Sequence, residues 1–232
     1  PIEIEGSEVK RPWYFSADVD YTSSDGFRLS TEVKRTNFLG NAKNIGLDFT
    51  YSRIEKGLEL SYFVPALFKV SDYYFDFTSK VGLSEFTYEG FTEEKKYGEM
   101  LLSYNDEDWN LNAGLALEKI GILTGANLFS APVQPGSFVP IYPYFNFKYD
   151  KRDSKVYPKY GYTIGGEIEY GIPYNEENAY LKYSLEGEMI YTFSNITYSA
   201  IAKAGIVDYN DESIPESKRF FAGGFASNRA YA

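Results

Sequence analysis

Runs of ten or more residues in which apolar and polar side chains alternate dominate the sequence and constrain its fold more than any other feature. Trp13, Phe15, Ala17, Val19 and Tyr21 interleave with Tyr14, Ser16, Asp18, Asp20 and Thr22. Leu181, Tyr183, Leu185, Gly187, Met189 and Tyr191 interleave with Lys182, Ser184, Glu186, Glu188, Ile190 and Thr192. Further runs centre on Ile45–Tyr51, Trp109–Leu117 and Tyr162–Tyr170. A period of two belongs to a β-strand with one apolar and one polar face. Turn signals such as "SSDG", "RIEKG", "NDED" and "YNEEN" separate the runs. They predict eleven strands, near 12–22, 27–36, 44–54, 57–65, 71–83, 95–105, 108–120, 142–150, 160–172, 178–193 and 195–208. The Gly- and Pro-rich connection 121–141 reads as a surface loop. No long repeat and no interdomain linker interrupts the pattern, so the expectation is a single all-β, antiparallel unit.

Composition narrows what such a sheet can do. The chain has 23 Tyr and 18 Phe, residues that suit a pleated, half-covered surface. It has no Cys and no His, which excludes disulfides, thiolate zinc sites and any mechanism that needs imidazole, and no cofactor is expected. A net charge of -10 argues against a nucleic-acid partner, whose surface demands a basic face. No apolar run approaches the ~18 residues of a transmembrane helix. That excludes helical spans alone, because a barrel strand alternates lipid-facing and lumen-facing residues and its hydropathy averages out.

Two architectures fit the alternation: a soluble antiparallel sandwich acting as a binding module, and a membrane β-barrel. Strand length favours the barrel, since soluble strands cluster near ~5–6 residues and membrane spans need roughly 9–11. Aromatic residues near both ends of apolar faces, such as Trp13 with Tyr21 and Tyr162 with Tyr170, fit the girdles at the two bilayer interfaces. In a barrel the polar faces line the lumen, with Asp18, Asp20, Glu32, Asp48, Glu118, Glu167, Glu169, Glu186 and Glu188 among Lys34, Lys148, Lys182 and Lys203. Pairs such as Glu167/Glu169 have the look of a glycosidase acid–base pair, yet any polar wall produces them, and no enzymatic activity is expected.

Three stretches carry a family resemblance. "KRFFAGGFASNRAYA", 218–232, resembles the loop-six signature of the BamA/TamA superfamily of outer-membrane assembly barrels, on Phe220, Phe221, Gly223, Gly224, Arg229 and Tyr231. "YDKRDSKVYPKYGY", 149–162, resembles the family's periplasmic turn between strands eight and nine, on Asp150, Arg152, Asp153, Pro158 and Gly161. The opening "PIEIEGSEVKRPW" and strands one and two resemble the join from the last periplasmic domain, and with "RFFAGG" they look closer to TamA than to BamA. Two positions depart from the signature: Asn228 stands where the family has Val or Ile, and Ala230 replaces its central glycine.

The resemblance implies an all-β transmembrane barrel, here the first eleven strands and loop six of a sixteen-stranded family fold. Residues 1–11 would be a linker from a periplasmic POTRA domain, and 12–232 a partial barrel domain. It implies residence in the bacterial outer membrane, contact with its lipid, and assembly or translocation of unfolded outer-membrane or autotransporter clients. A periplasm-spanning or inner-membrane partner would be reached through POTRA domains. Strand one, through Trp13, Phe15, Ala17, Val19 and Tyr21, would form the lateral seam at which a client strand pairs. Arg229 would hold loop six inside the lumen, its guanidinium fork suiting carboxylates and carbonyls in a confined space. A transporter of the two-partner secretion type shares the loop signature and is the alternative within the same fold.

Overall fold

The structure is a computed structural model that describes residues 12–22, 26–88, 91–125, 127–128, 131–132, 136–172, 179–209 and 218–220. The alternating runs become β1 (Trp13–Thr22), β2 (Gly26–Arg35), β3 (Asn44–Ser52), β4 (Glu55–Val70), β5 (Tyr73–Thr87), β6 (Phe91–Asn105) and β7 (Trp109–Gly125). The short pieces β8 (Asn127–Leu128), β9 (Ala131–Pro132) and β10 (Gly136–Phe138) follow. Four long strands complete the chain: β11 (Ile141–Asp150), β12 (Tyr160–Gly171), β13 (Tyr180–Phe193) and β14 (Ile196–Tyr209).

Each long strand pairs antiparallel with the next, in the order β1-β2-β3-β4-β5-β6-β7-β11-β12-β13-β14, which gives the eleven long strands expected from the sequence. Beyond that path, β10 pairs with the end of β7, and β8 pairs with β9. Among the described residues no pairing joins β1 to β14.

Several boundaries differ from the sequence reading. The strand expected near 57–65 runs on as β4 to Val70. The ladder with β5 shifts register between Val64 and Phe68, and Ala66 there has φ 45° and donates its N–H to Asp76 Oδ1 at 2.8 Å. A bulge tolerates a proline because its backbone nitrogen is outside the ladder anyway. The connection 121–141 is not simply a loop. Gly121–Gly125 continues β7, and Gly136, Ser137 and Phe138 pair with Ile122, Gly121 and Ile120. Ile120 and Ile122 are buried together with Phe91 and packed by Tyr88 and Phe138, so a small apolar cluster carries the strand past its glycines. The connection between the strands expected at 71–83 and 95–105 is also shorter than that reading gives, because β5 reaches Thr87 and β6 starts at Phe91.

Which face is covered decides between sandwich and barrel. The apolar face stays open: Leu115, Ile164, Ile168, Leu185 and Met189 are all exposed. The polar face is the buried one, with Ser103, Glu118, Thr163 and Glu169 each below a tenth exposed. A soluble sandwich buries its apolar faces against each other. The opposite arrangement is that of a membrane barrel wall, lipid-facing outside and polar inside.

Candidate functional site

Cross-strand register fixes which side chains meet on the inner face. Tyr142 lies opposite Ala116, Tyr144 opposite Gly114 and Glu169, and Glu169 opposite Lys182. Inward tyrosines reach neighbouring glutamates across this wall. Tyr97 donates its hydroxyl to Glu59 Oε2 at 2.6 Å, Tyr142 donates to Glu118 Oε1 at 2.7 Å, Tyr144 donates to Glu99 and Tyr180 to Glu169. Glycine makes room for these rings: a Cβ on Gly114 would stand 2.4 Å from Tyr144 Cζ.

Into this wall projects the start of the segment that follows β14. Lys218 is 7% exposed, and its Nζ lies 3.0 Å from Glu118 Oε2 and 3.0 Å from Glu169 Oε1. The same ammonium stands 3.8 Å from the centre of the Tyr142 ring. One lysine therefore bridges β7 and β12 across the intervening β11. Lys95 of β6 approaches Glu118 Oε1 at 3.6 Å, so two cations meet two carboxylates in a cluster of zero net charge. The next residues stay on the wall. Arg219 lies over the Tyr209 ring at 5.6 Å, and Phe220 lies over Gly205, where a Cβ would stand 2.4 Å from the phenyl Cζ.

The turn residues singled out in the sequence converge on one structure. Asp150 accepts from Arg152 Nε at 2.9 Å and Nη2 at 2.7 Å, a bidentate pair, and Arg152 Nη1 lies 3.7 Å from Glu188. Asp153 Oδ1 accepts the N–H groups of Lys159 at 2.9 Å and Tyr160 at 3.1 Å. Those bonds hold the Asp153 carboxyl below the usual range, Tyr160 contributing most. Gly161 has φ 120°, and a Cβ there would stand 2.3 Å from the Lys151 carbonyl oxygen, so only glycine fits. Pro158 lies in the turn between these anchors and is half-buried.

On β1, Trp13, Phe15, Ala17, Val19 and Tyr21 share the outward face and are all exposed. This strand pairs with β2 along its whole length and with no other described strand. Of the loop-six residues, Phe220 lies on the inner wall, whereas Phe221, Gly223, Gly224, Arg229 and Tyr231 fall outside the described residues, as does the 1–11 segment.

Sequence reasoning put Glu118 and Glu169 on the lumen face but did not single out Lys218 or the tyrosine–glutamate pairs. The available signal was chemical: two inward carboxylates on nearby strands require a cation, and Lys218 opens the segment that the motif places inside.

Comparison with known proteins decides the family. The Omp85 superfamily domain matches residues 37–232. The chain belongs to the Omp85 superfamily. Among curated proteins none matches it in sequence. Its fold resembles the crystal structure of BamA from Haemophilus ducreyi lacking POTRA domains 1–3, with a TM-score of 0.82 over 96% of this chain and 13% identity. The chain spans 46% of that structure's length. The Omp85 sheet is thus a partial barrel of the bacterial outer membrane, and Lys218 roots its post-β14 segment on the inner wall.

Proposed function

We propose that this Omp85 chain forms the seam side and loop root of a barrel that assists insertion or translocation of outer-membrane and autotransporter proteins. The observation that supports this best is the state of β1: its outward face is apolar and exposed, and its free edge has no partner among the described strands. An unpaired strand edge in lipid is costly, so it favours pairing with an incoming strand, and the client gains main-chain hydrogen bonds as it inserts. Lys218 works on the other side of the wall. By tying the segment after β14 to β7 and β12, it keeps the loop root in the lumen while the seam opens, and Arg229 would fix the distal part of the same loop. The turn built on Asp150, Arg152, Asp153, Pro158 and Gly161 closes the β11–β12 hairpin on the periplasmic side. POTRA domains ahead of residue 1 would deliver clients or contact an inner-membrane partner. The role is mechanical rather than enzymatic.

The test is cross-linking in cells that make the full-length protein. A photo-reactive residue at Ala17 should capture newly made barrel proteins, and the same residue at Ala113, on the outward face of β7, should not. Equal capture at both positions, or none at Ala17, would remove the seam from the account.

A further inference from the structure

The outward face of β3 to β7 is not a uniform apolar wall. A groove of about 530 Å³ runs along it, lined by Leu58, Leu60, Val81 and Leu117. Gly98 leaves it open at the centre: a Cβ there would meet only Val81 Cγ1, at 3.9 Å. Lys96 and Lys119 also line the groove, in the same cross-strand row as Leu58 and Leu83. These two lysines lie directly opposite each other on β6 and β7, and both are exposed on the outward face.

Their placement needs an explanation. Like charges directly opposite each other across a ladder disfavour pairing. Among the described residues neither lysine has a carboxylate within ion-pair distance, while the nearby Glu85 is taken by Lys56 at 2.6 Å. Glu94, one outward position beyond Lys96, still leaves the group with excess positive charge. Depth supplies the second observation. On β7 the unbroken outward apolar run begins at Trp109 and is interrupted by Lys119, with one further exposed leucine, Leu123, beyond it. Ten residues at ~3.3 Å, tilted by ~40°, rise roughly 25 Å, about the height of a barrel's apolar band. The lysines therefore stand at headgroup level on the side opposite Trp109, where the apolar face of β12 instead ends on Tyr170.

We propose that this groove is a binding site for an anionic phospholipid, one whose head group carries net negative charge. An acyl chain lies over Gly98 between Leu60, Val81 and Leu117, and the phosphate sits between the ammonium groups of Lys96 and Lys119. The lipid's negative charge relieves the opposed lysines, and its chain fills a gap that bulk lipid fills without a fixed head position. The site rests on the barrel and its outward face, not on the seam mechanism.

The experiment titrates the full-length protein in detergent, read by native mass spectrometry, with dioleoylphosphatidic acid and with dioleoylphosphatidylcholine. Wild-type protein should hold phosphatidic acid about tenfold more tightly than phosphatidylcholine. Lys96→Gln/Lys119→Gln should bind the two lipids alike, and Gly98→Leu, which fills the groove and keeps both charges, should also lose the preference. All three positions lie on the outward face, so a heat-modifiable gel shift should show each variant folded. A wild-type protein without preference, or a preference that survives in both variants, would overturn the site. So would full displacement of phosphatidic acid by excess inorganic phosphate, which would make the lysines a free-anion site.

Discussion

Lys218→Met removes the ammonium that Glu118 and Glu169 share and leaves the surrounding wall in place. After the change Glu118 keeps Lys95 at 3.6 Å and the Tyr142 hydroxyl. Glu169 keeps the Tyr180 hydroxyl but loses the one cation that pairs with it among the described residues. Breaking a buried ion pair from one side commonly costs about 3–5 kcal/mol, because the remaining charge stays desolvated. The expected loss is therefore about 3–5 kcal/mol at pH 7. Urea unfolding of the full-length protein in lipid, followed by the folded-band gel shift, measures it. Adding Glu169→Gln to Lys218→Met should recover most of the loss, since the stranded charge is gone. A loss below about 1 kcal/mol with no rescue by Glu169→Gln would mean that Lys218 does not hold the loop root to the wall.

The β11–β12 turn and the lipid face give further tests. Gly161→Ala forces a Cβ against the Lys151 carbonyl at φ 120° and should cost about 2–3 kcal/mol in the same unfolding assay; a neutral result would refute the turn geometry. Leu185→Arg, at a lipid-facing position, should cost about 2–4 kcal/mol, against little for the inward Ser184→Arg; equal costs would contradict the facing. Asp153 is held below the usual range by the Tyr160 and Lys159 amides, and Asp106 by the Tyr104 hydroxyl and the Trp109 amide. Because the folded values are depressed, their contribution is complete above the unfolded pKa of ~3.9 and is lost only as pH falls through the lower folded values. Amide exchange at Tyr160 and Trp109, corrected for intrinsic rates, should stay protected to about pH 4; loosening at pH 6 would contradict this.

Much of the wall was legible because a strand reports its two faces in every second residue. The run Trp109–Leu117 announced both the lipid face and the inward side that carries Glu118. The end of β4 was placed too early, at 65, because a bulge at Ala66 interrupts the ladder before pairing resumes at Phe68. Glycine misled after 120, where the Ile120–Ile122–Phe91 cluster holds a strand that local composition assigns to a loop. The turn around Asp153 was marked by resemblance, and the structure supplies its reason in the amides it accepts and in the Gly161 backbone. Lys218 was not legible locally. Its partners Glu118 and Glu169 lie far away in sequence, and only strand register brings them to one level of the wall.

The sheet is turned inside out relative to a soluble protein, with lipid against the apolar face and the loop root against the polar one. Spin labels placed one at a time along β13, from Leu181 to Ile190, in the full-length protein reconstituted into bilayers, test it most directly. Accessibility to oxygen should oscillate with period two, peaking at Leu181, Tyr183, Leu185 and Met189, while a polar nickel reagent peaks out of phase at Ser184, Glu186 and Glu188. Oxygen peaks on the polar set, or water access on both faces, would contradict the account.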